Sequence, residues 1–324
     1  MKAIVYRNYG APDVLRFEET AKPVPANNEV LIKVRAASVN PYEWHFMRGT
    51  PYLLRLMFGL RVPKDIRLGS DVSGEIEAIG PNVTQFKPGH LVFGSCRGAY
   101  AEYACASESA LAIKPMNLTF EQAAAVPIAA FTALQGLRDK AHIQPGQKVL
   151  VNGASGGVGT FAVQIAKSFG ADVTGVCSAR NLDLVRSIGA DRVIDYAQQD
   201  FTSEGQHYDI IFDAIGNHPM SACGRVLNRQ GVLVMAGAPS GNWMLGAIVG
   251  RAIQARVLSR IGSRSFVGLH AKLSKEDLIT IAELMGAGKI TPVIDRTYSL
   301  IQTPDAIRYL EQGHARGKVI ITVA

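Results

Sequence analysis

The chain has 324 residues, 48% of them hydrophobic and 19% charged, and a formal net charge of +7. That length is generous for one hydrophobic core and suits two domains, and the composition excludes a disordered or fibrous protein. The sequence has no uncharged apolar run of about 18 residues, its opening MKAIVYRNYG has no charged segment followed by an apolar one, and its 4 cysteines form no CxxC pair. A cytoplasmic protein with reduced thiols, no membrane span and no secretory signal is expected.

Residues 1–121 have the texture of a compact, mostly antiparallel β domain. Lys2–Arg7, Val14–Glu19 and Glu29–Val39 read as short strands with turn residues between them, and Gly69–Gly80, Leu91–Gly94 and Ala99–Cys105 continue the pattern. Thr119 opens a helical stretch with Gln122 placed for a capping box, and Pro127 breaks it in two.

Residues 122–269 read as alternating β and α. Lys148–Asn152 is a β-branched apolar run, followed by the turn Ala154-Ser155-Gly156-Gly157-Val158-Gly159. Phe161, Ile165 and Phe169 then recur at helical spacing until Gly170. Strand, glycine turn and helix in that order give a dinucleotide fingerprint its meaning. The small residues let the backbone approach a pyrophosphate, and free N–H groups at the helix start hold its charge. An ordinary strand-to-helix turn is the bland alternative, since Ala154 stands at the first glycine position.

Asp172–Cys177 reads as the next strand, as a βαβ unit requires. Beyond it, where an NAD site places an acid for the ribose, stand Ser178-Ala179-Arg180-Asn181. A hydroxyl and a guanidinium suit a 2′-phosphate that a carboxylate would repel, so NADPH is the expected cofactor. Asn181 suits the N-cap of the following helix. Residues 191–196, 208–216 and 231–237 supply further apolar strands, predicting a doubly wound parallel sheet.

Between Asp213 and Glu276 there is no acidic residue, whereas Arg225, Arg229, Arg251, Arg256, Arg260, Arg264, Lys272 and Lys275 lie in that interval. Such a field favours a polyanionic cofactor, and equally RNA or an anionic membrane. In residues 270–324, Ser274 and Asp277 start a helix carrying Leu278, Ile281 and Leu284 on one face, and Thr303-Pro304 starts the last. Lys318–Val323 is a closing strand with no α/β partner, expected to return to the first domain.

With these pieces placed, the sequence resembles the medium-chain dehydrogenase/reductase superfamily, in its zinc-free quinone oxidoreductase (zeta-crystallin-like) branch. Gly146-Gln147, Leu150, Ala154-Ser155-Gly156-Gly157, Gly159, Gln164 and Lys167 match that branch's signature, and the segments 36–49, 69–80 and 313–323 fit the same family. The resemblance implies an α/β fold: a Rossmann doubly wound parallel sheet inserted into a GroES-like, mostly β catalytic domain, with the active site in the cleft between them. It also implies a homodimer.

Where the zinc enzymes of the superfamily carry a cysteine and a Gly-His-Glu motif, this chain reads Ser38-Val39-Asn40 and Gly69-Ser70-Asp71. A zinc site needs N or S ligands that are missing at those positions, so no metal is expected. Without a Lewis acid the favoured acceptors are quinones or activated α,β-unsaturated carbonyls, small hydrophobic compounds whose reduced form delocalises charge.

By family position Asn40 lies beside the nicotinamide, although it could simply cap the turn before Pro41. Tyr42, His45 and Tyr52 are candidate proton donors, each with a surface or core alternative, and water could serve instead. The same resemblance gives Thr132 to the nicotinamide amide, Ser155, Gly156, Gly157, Val158 and Gly159 to the pyrophosphate, and Ser178, Arg180 and Tyr196 to the 2′-phosphate and adenosine end. Gly216, Ala236 and Gly237 end strands at the cofactor edge, and Phe266 and Val267 border the nicotinamide. Pro51–Leu60 and the amphipathic segment Trp243–Ile261 could form a hydrophobic lid, a packing or subunit face, or a basic helix at a membrane surface. The expected protein is a zinc-independent NADPH oxidoreductase. The rival readings are a low-turnover NADPH-binding protein with a basic surface for RNA or membrane, and a zinc alcohol dehydrogenase.

Overall fold

The computed structural model describes residues 1–237 and 244–323; Trp243, the first residue of the predicted amphipathic segment, lies outside them. The chain forms two compact units. The first takes Met1–Ile128, Leu273–Gly288 and Pro292–Ala324, and the second takes Ala129–Lys272 and Lys289–Thr291.

In chain order the first unit opens with β1 (Lys2–Val5), β2 (Arg16–Glu19), β3 (Glu29–Val39), β4 (Asp71–Ile79), β5 (Leu91–Ser95), β6 (Tyr103–Ser107) and β7 (Leu111–Ile113). β3 has the predicted bounds, and its Val30, Ile32 and Val34 are buried in one core with Val72, Ile76 and Val92. The predicted strand at 99–105 is displaced. Ala101 meets β1 through an isolated bridge to Ala3, and the ladder with β3 runs over Tyr103–Ser107. β7 was not anticipated, because three residues are too few to show an alternation.

The second unit supplies β8 (Lys148–Asn152), β9 (Asp172–Cys177), β10 (Arg192–Asp195), β11 (Tyr208–Asp213), β12 (Leu227–Met235) and β13 (Ser265–Gly268). All pair in parallel, in the order β10-β9-β8-β11-β12-β13. Numbered within the unit this is 3-2-1-4-5-6, the doubly wound order whose direction reverses between β8 and β11. Val149, Leu150 and Val151 are all buried, as expected of a strand covered on both faces.

The chain then returns to the first unit with β14 (Ile294–Ser299) and β15 (Lys318–Thr322). β15 pairs antiparallel with β3, so the closing strand does return to the first unit's sheet. The unit boundaries differ from the predicted 1–121, 122–269 and 270–324. The capping box at Thr119 and Gln122 starts helix Phe120–Ala124, but Ala124 and Ala125 pack with Ala36 and Ile320 of the antiparallel sheet. At the other end, the Gln135 amide pairs with both backbone groups of Lys272, and the Gln164 amide does the same with Thr291. Side chains acting as backbone partners hold those residues in the second unit.

Candidate active site

In the second unit the turn after β8 begins one residue earlier than the fingerprint suggests. Gly153 takes the left-handed conformation (φ +87°), while Ala154 is fully buried, so alanine at the first motif position carries no strain. The helix runs Gly157–Ser168 with Gly156 as its N-cap. Its first N–H groups have no intrahelical partner, and the Thr160 N–H closes on the Gly156 carbonyl. A Cβ on Gly159 would lie 2.0 Å from the Gly153 carbonyl oxygen, so this glycine is required by helix-on-strand packing. A Cβ on Gly156 would meet only that same oxygen, at 3.4 Å, in otherwise open space.

At the end of β9, Asn181 is buried and holds the N-cap position without capping. Its Nδ2 donates instead to Ser155 Oγ at 3.0 Å and to Ser178 Oγ at 3.1 Å, and its Oδ1 has no partner among the described residues. The expected N-cap is thus a brace between the glycine turn and the β9 edge. Arg180 and Tyr196 are exposed, and the Tyr196 N–H bonds the Cys177 carbonyl, which brings Tyr196 to the same edge. An open cradle at Gly156 and an orphaned buried oxygen beside two serines fit a dinucleotide with a ribose-phosphate end.

Asp213, at the end of β11, organises the rest of this edge and was not singled out from the sequence. Its Oδ1 accepts from Asn152 Nδ2 at 2.9 Å and from the Gly216 N–H at 2.8 Å, and its backbone carbonyl accepts from the N–H groups of Ala236 and Gly237. Arg251 donates to the Gly216 carbonyl at 2.8 Å and lies 3.5 Å from Asp213 Oδ2. This corrects one part of the predicted basic face: Arg251 on helix Met244–Ile261 turns inward, because Asp213 is a nearly buried charge needing a counterion. An aspartate ending an apolar strand was the available sequence signal. Phe266 is largely core, packed with Leu233 and Met235, and Val267 is half-buried on β13. Thr132 is half-buried on helix Pro127–Leu134.

In the first unit, Asn40 is buried at the start of helix Pro41–Arg48. The capping alternative is present: the Asn40 N–H donates to Glu43 Oε2 at 2.9 Å. The carboxamide has further work. Asn40 Nδ2 donates to Asp71 Oδ2 at 2.9 Å, Lys318 Nζ donates to Asn40 Oδ1 at 2.6 Å, and Ser38 Oγ donates to Asp71 Oδ2 at 2.7 Å. Lys318 Nζ lies 3.5 Å from the same Asp71 oxygen. Glu43 also accepts from the Ser70 N–H and the Tyr100 hydroxyl. Burial pushes its carboxyl up to about 8, against the hydrogen bonds from Tyr100 and Asn40. Burial lowers the Lys318 ammonium from its ordinary value while Asp71 and Glu43 oppose that shift.

The three candidate proton donors separate. Tyr42 lines a cavity of about 250 Å³ with Glu43, Phe46, Phe58 and Ser70, and burial first, then Glu43 and Asp71, hold its phenol protonated well above the ordinary range. His45 is half-buried and outside that lining, and burial lowers its imidazole. Tyr52 is 67% exposed with the Arg55 guanidinium 4.8 Å over its ring. Tyr42 alone of the three lines that cavity.

Residues 26–116 match the alcohol dehydrogenase GroES-like domain, and residues 188–321 match the family described as zinc-binding dehydrogenase. The human mitochondrial NAD(P)H oxidoreductase RTN4IP1 is 34% identical over 100% of this chain and 89% of its own. The tomato (Solanum lycopersicum) 2-methylene-furan-3-one reductase is 33% identical over 99% of this chain and 79% of its own. The solved quinone oxidoreductase from Coxiella burnetii superposes with a TM-score of 0.85 at 32% identity, covering 100% of this chain and 99% of that one. A GroES-like domain carrying a Rossmann-like parallel sheet defines an oxidoreductase that uses a nicotinamide cofactor. The chain belongs to the medium-chain dehydrogenase/reductase superfamily, in its quinone oxidoreductase-like branch.

Zinc does not fit the residues at the expected position. The Asp71 carboxylate there is already bonded to Ser38, Asn40 and Lys318. Among the described residues no group of three or more His, Cys, Asp or Glu side chains could hold a metal ion.

Proposed function

We propose a zinc-independent, NADPH-dependent reductase that transfers hydride to a quinone or an activated α,β-unsaturated carbonyl compound, as a homodimer in the cytoplasm. The β9 edge carries the cofactor half of the reading: Ser178, Arg180 and the braced Asn181 stand where an NAD site would set a carboxylate. A guanidinium and hydroxyls favour a 2′-phosphate. Gly156–Gly159 would hold the pyrophosphate on the helix start.

The donor set in the first unit supports the acceptor half. Where a metal would polarise a simple carbonyl, the chain has an ammonium and a carboxylate already paired. Asn40 has its oxygen occupied by Lys318 and one N–H taken by Asp71, which leaves one N–H to donate toward a nicotinamide amide or a developing oxyanion. When bound, NADPH supplies the hydride, and the accompanying proton comes from Tyr42 or from water. The Coxiella and tomato relatives are named for a quinone and for a methylene ketone, which favours both acceptor classes over a saturated aldehyde.

The test is NADPH oxidation by purified protein in excess EDTA, with quinones, enones, enals and saturated aldehydes as acceptors. Turnover confined to quinones or activated alkenes is expected. Turnover on saturated aldehydes that EDTA abolishes would overturn the reading, and tight NADPH binding with no turnover at all would favour the binding-protein alternative. Sedimentation velocity reads the dimer.

A further inference from the structure

The second unit holds a cavity of about 690 Å³ between helix Met244–Ile261 and the ends of β12 and β13. Its floor is apolar, made by Ala252, Ala255, Phe266 and Leu269. Arg251, Arg256, Arg260 and His270 also line it, and no aspartate or glutamate does among the described residues. The three arginines are not equivalent. Arg251 is paired with Asp213 and the Gly216 carbonyl, whereas the guanidinium groups of Arg256 and Arg260, both exposed residues, make no hydrogen bond or ion pair with another described residue.

We infer that this cavity selects acceptors that pair an apolar body with a carboxylate or phosphate, the body lying on the Ala255–Phe266 floor and the anion meeting Arg256 and Arg260. The assignment rests on the proposed reductase reading and names its substrate class. A concave apolar site with a few convergent cations is the form of a small-molecule pocket. Two guanidinium forks suit either anion, each able to bind in a bidentate manner. The cofactor's own 2′-phosphate does not account for them. β9, whose edge carries Ser178 and Arg180, is three strands from β12, roughly 14 Å at the usual spacing. Ala236 and Gly237, which directly follow β12, line the same cavity, so the anion-selective walls adjoin the positions the family gives to the nicotinamide.

The chemistry leaves the anion a spectator. Hydride from NADPH would add to one alkene carbon, a proton from Tyr42 or water would complete the other, and NADP⁺ would leave. The probe pair is trans-3-benzoylacrylate and its methyl ester, two acceptors of one shape that differ by a charge. The ratio of kcat/KM, acid over ester, is measured for the wild-type protein and for Arg256→Gln/Arg260→Gln. Both positions are exposed, so the double variant is expected to fold, which its melting curve checks.

A fall in the ratio of at least fivefold in the variant supports the assignment, and a smaller fall overturns it. If neither compound is oxidant enough to turn over, the reductase reading fails on these acceptors, and the cavity is read separately by calorimetry with the saturated 3-benzoylpropionate and its methyl ester. Acid binding at least fivefold weaker in the variant, with no such change for the ester, sustains the cavity; a smaller change overturns it. Phosphate-bearing and carboxylate-bearing acceptors compared in the same format distinguish the two anions.

Discussion

Lys318 on β15 donates to Asn40 Oδ1 at 2.6 Å, and the amide turned by that bond donates to Asp71 at 2.9 Å, all three side chains being buried. The ammonium fixes which way the carboxamide faces, because the alternative flip would set Nδ2 against Nζ. A segment at one end of the sequence thereby orients a candidate site residue near the other.

Lys318→Met removes the cation and leaves the Asp71 carboxylate buried. Breaking such a pair costs about 3–5 kcal/mol, so a large drop in the urea midpoint is expected. Adding Asp71→Asn should recover part of the loss, since the remaining group is then neutral and can still accept from Ser38. A double variant as unstable as Lys318→Met would contradict the pairing.

The Glu43 carboxyl, raised to about 8 in the fold, makes stability depend on pH. Below its ordinary value both folded and unfolded chains hold the proton, and the group has no effect. As pH rises above that value only the unfolded chain releases it, so stability falls up to about pH 8, by about 1.4 kcal/mol per pH unit per proton. Glu43→Gln should flatten the urea midpoint across pH 5 to 8 relative to wild type. An equally steep variant would show that another group titrates.

Gly159→Ala and Gly156→Ala separate packing from binding in one turn. At Gly159 the new Cβ would lie 2.0 Å from a backbone oxygen, so loss of the folded second unit is expected. At Gly156 the nearest atom is 3.4 Å away, so the variant should fold with wild-type stability within about 1 kcal/mol. Its NADPH affinity, read by fluorescence titration, should nevertheless fall at least tenfold, because the methyl group fills the cradle.

Arg180→Asp sets a carboxylate at the β9 edge. Charge-assisted hydrogen bonds contribute about 1.5–3 kcal/mol, so NADPH binding should weaken roughly 10- to 100-fold. NADH binding should change by less than threefold. Equal losses for both cofactors would remove the 2′-phosphate assignment.

Local chemistry made much of this legible beforehand. The strand–turn–helix of 148–168, the capping box at Thr119 and the helix break before Pro127 depend on residues within a turn of one another. The reading of Asn181 as an N-cap rested on the same local logic. It met the position but missed the bonds, since Ser155 and Ser178 compete for the amide across the β8–β9 edge. The basic character of 243–261 follows from its arginines and the lack of acids between Asp213 and Glu276, and Asp213 itself, at the edge of that interval, withdraws Arg251 from the exposed charge.

By itself the sequence determined the two textures, the parallel order implied by alternation, the fingerprint turn and the absence of an acid after β9, because each is written in neighbouring residues and their spacing. The tertiary structure alone decided the Ser38–Asp71–Asn40–Lys318 network, the role of Asp213, the unit boundaries at Ile128 and Lys272, and the cationic cavity over β12 and β13. Those depend on which buried charge finds which partner. The desolvation that makes such pairing obligatory acts between side chains far apart in sequence, where spacing carries no signal.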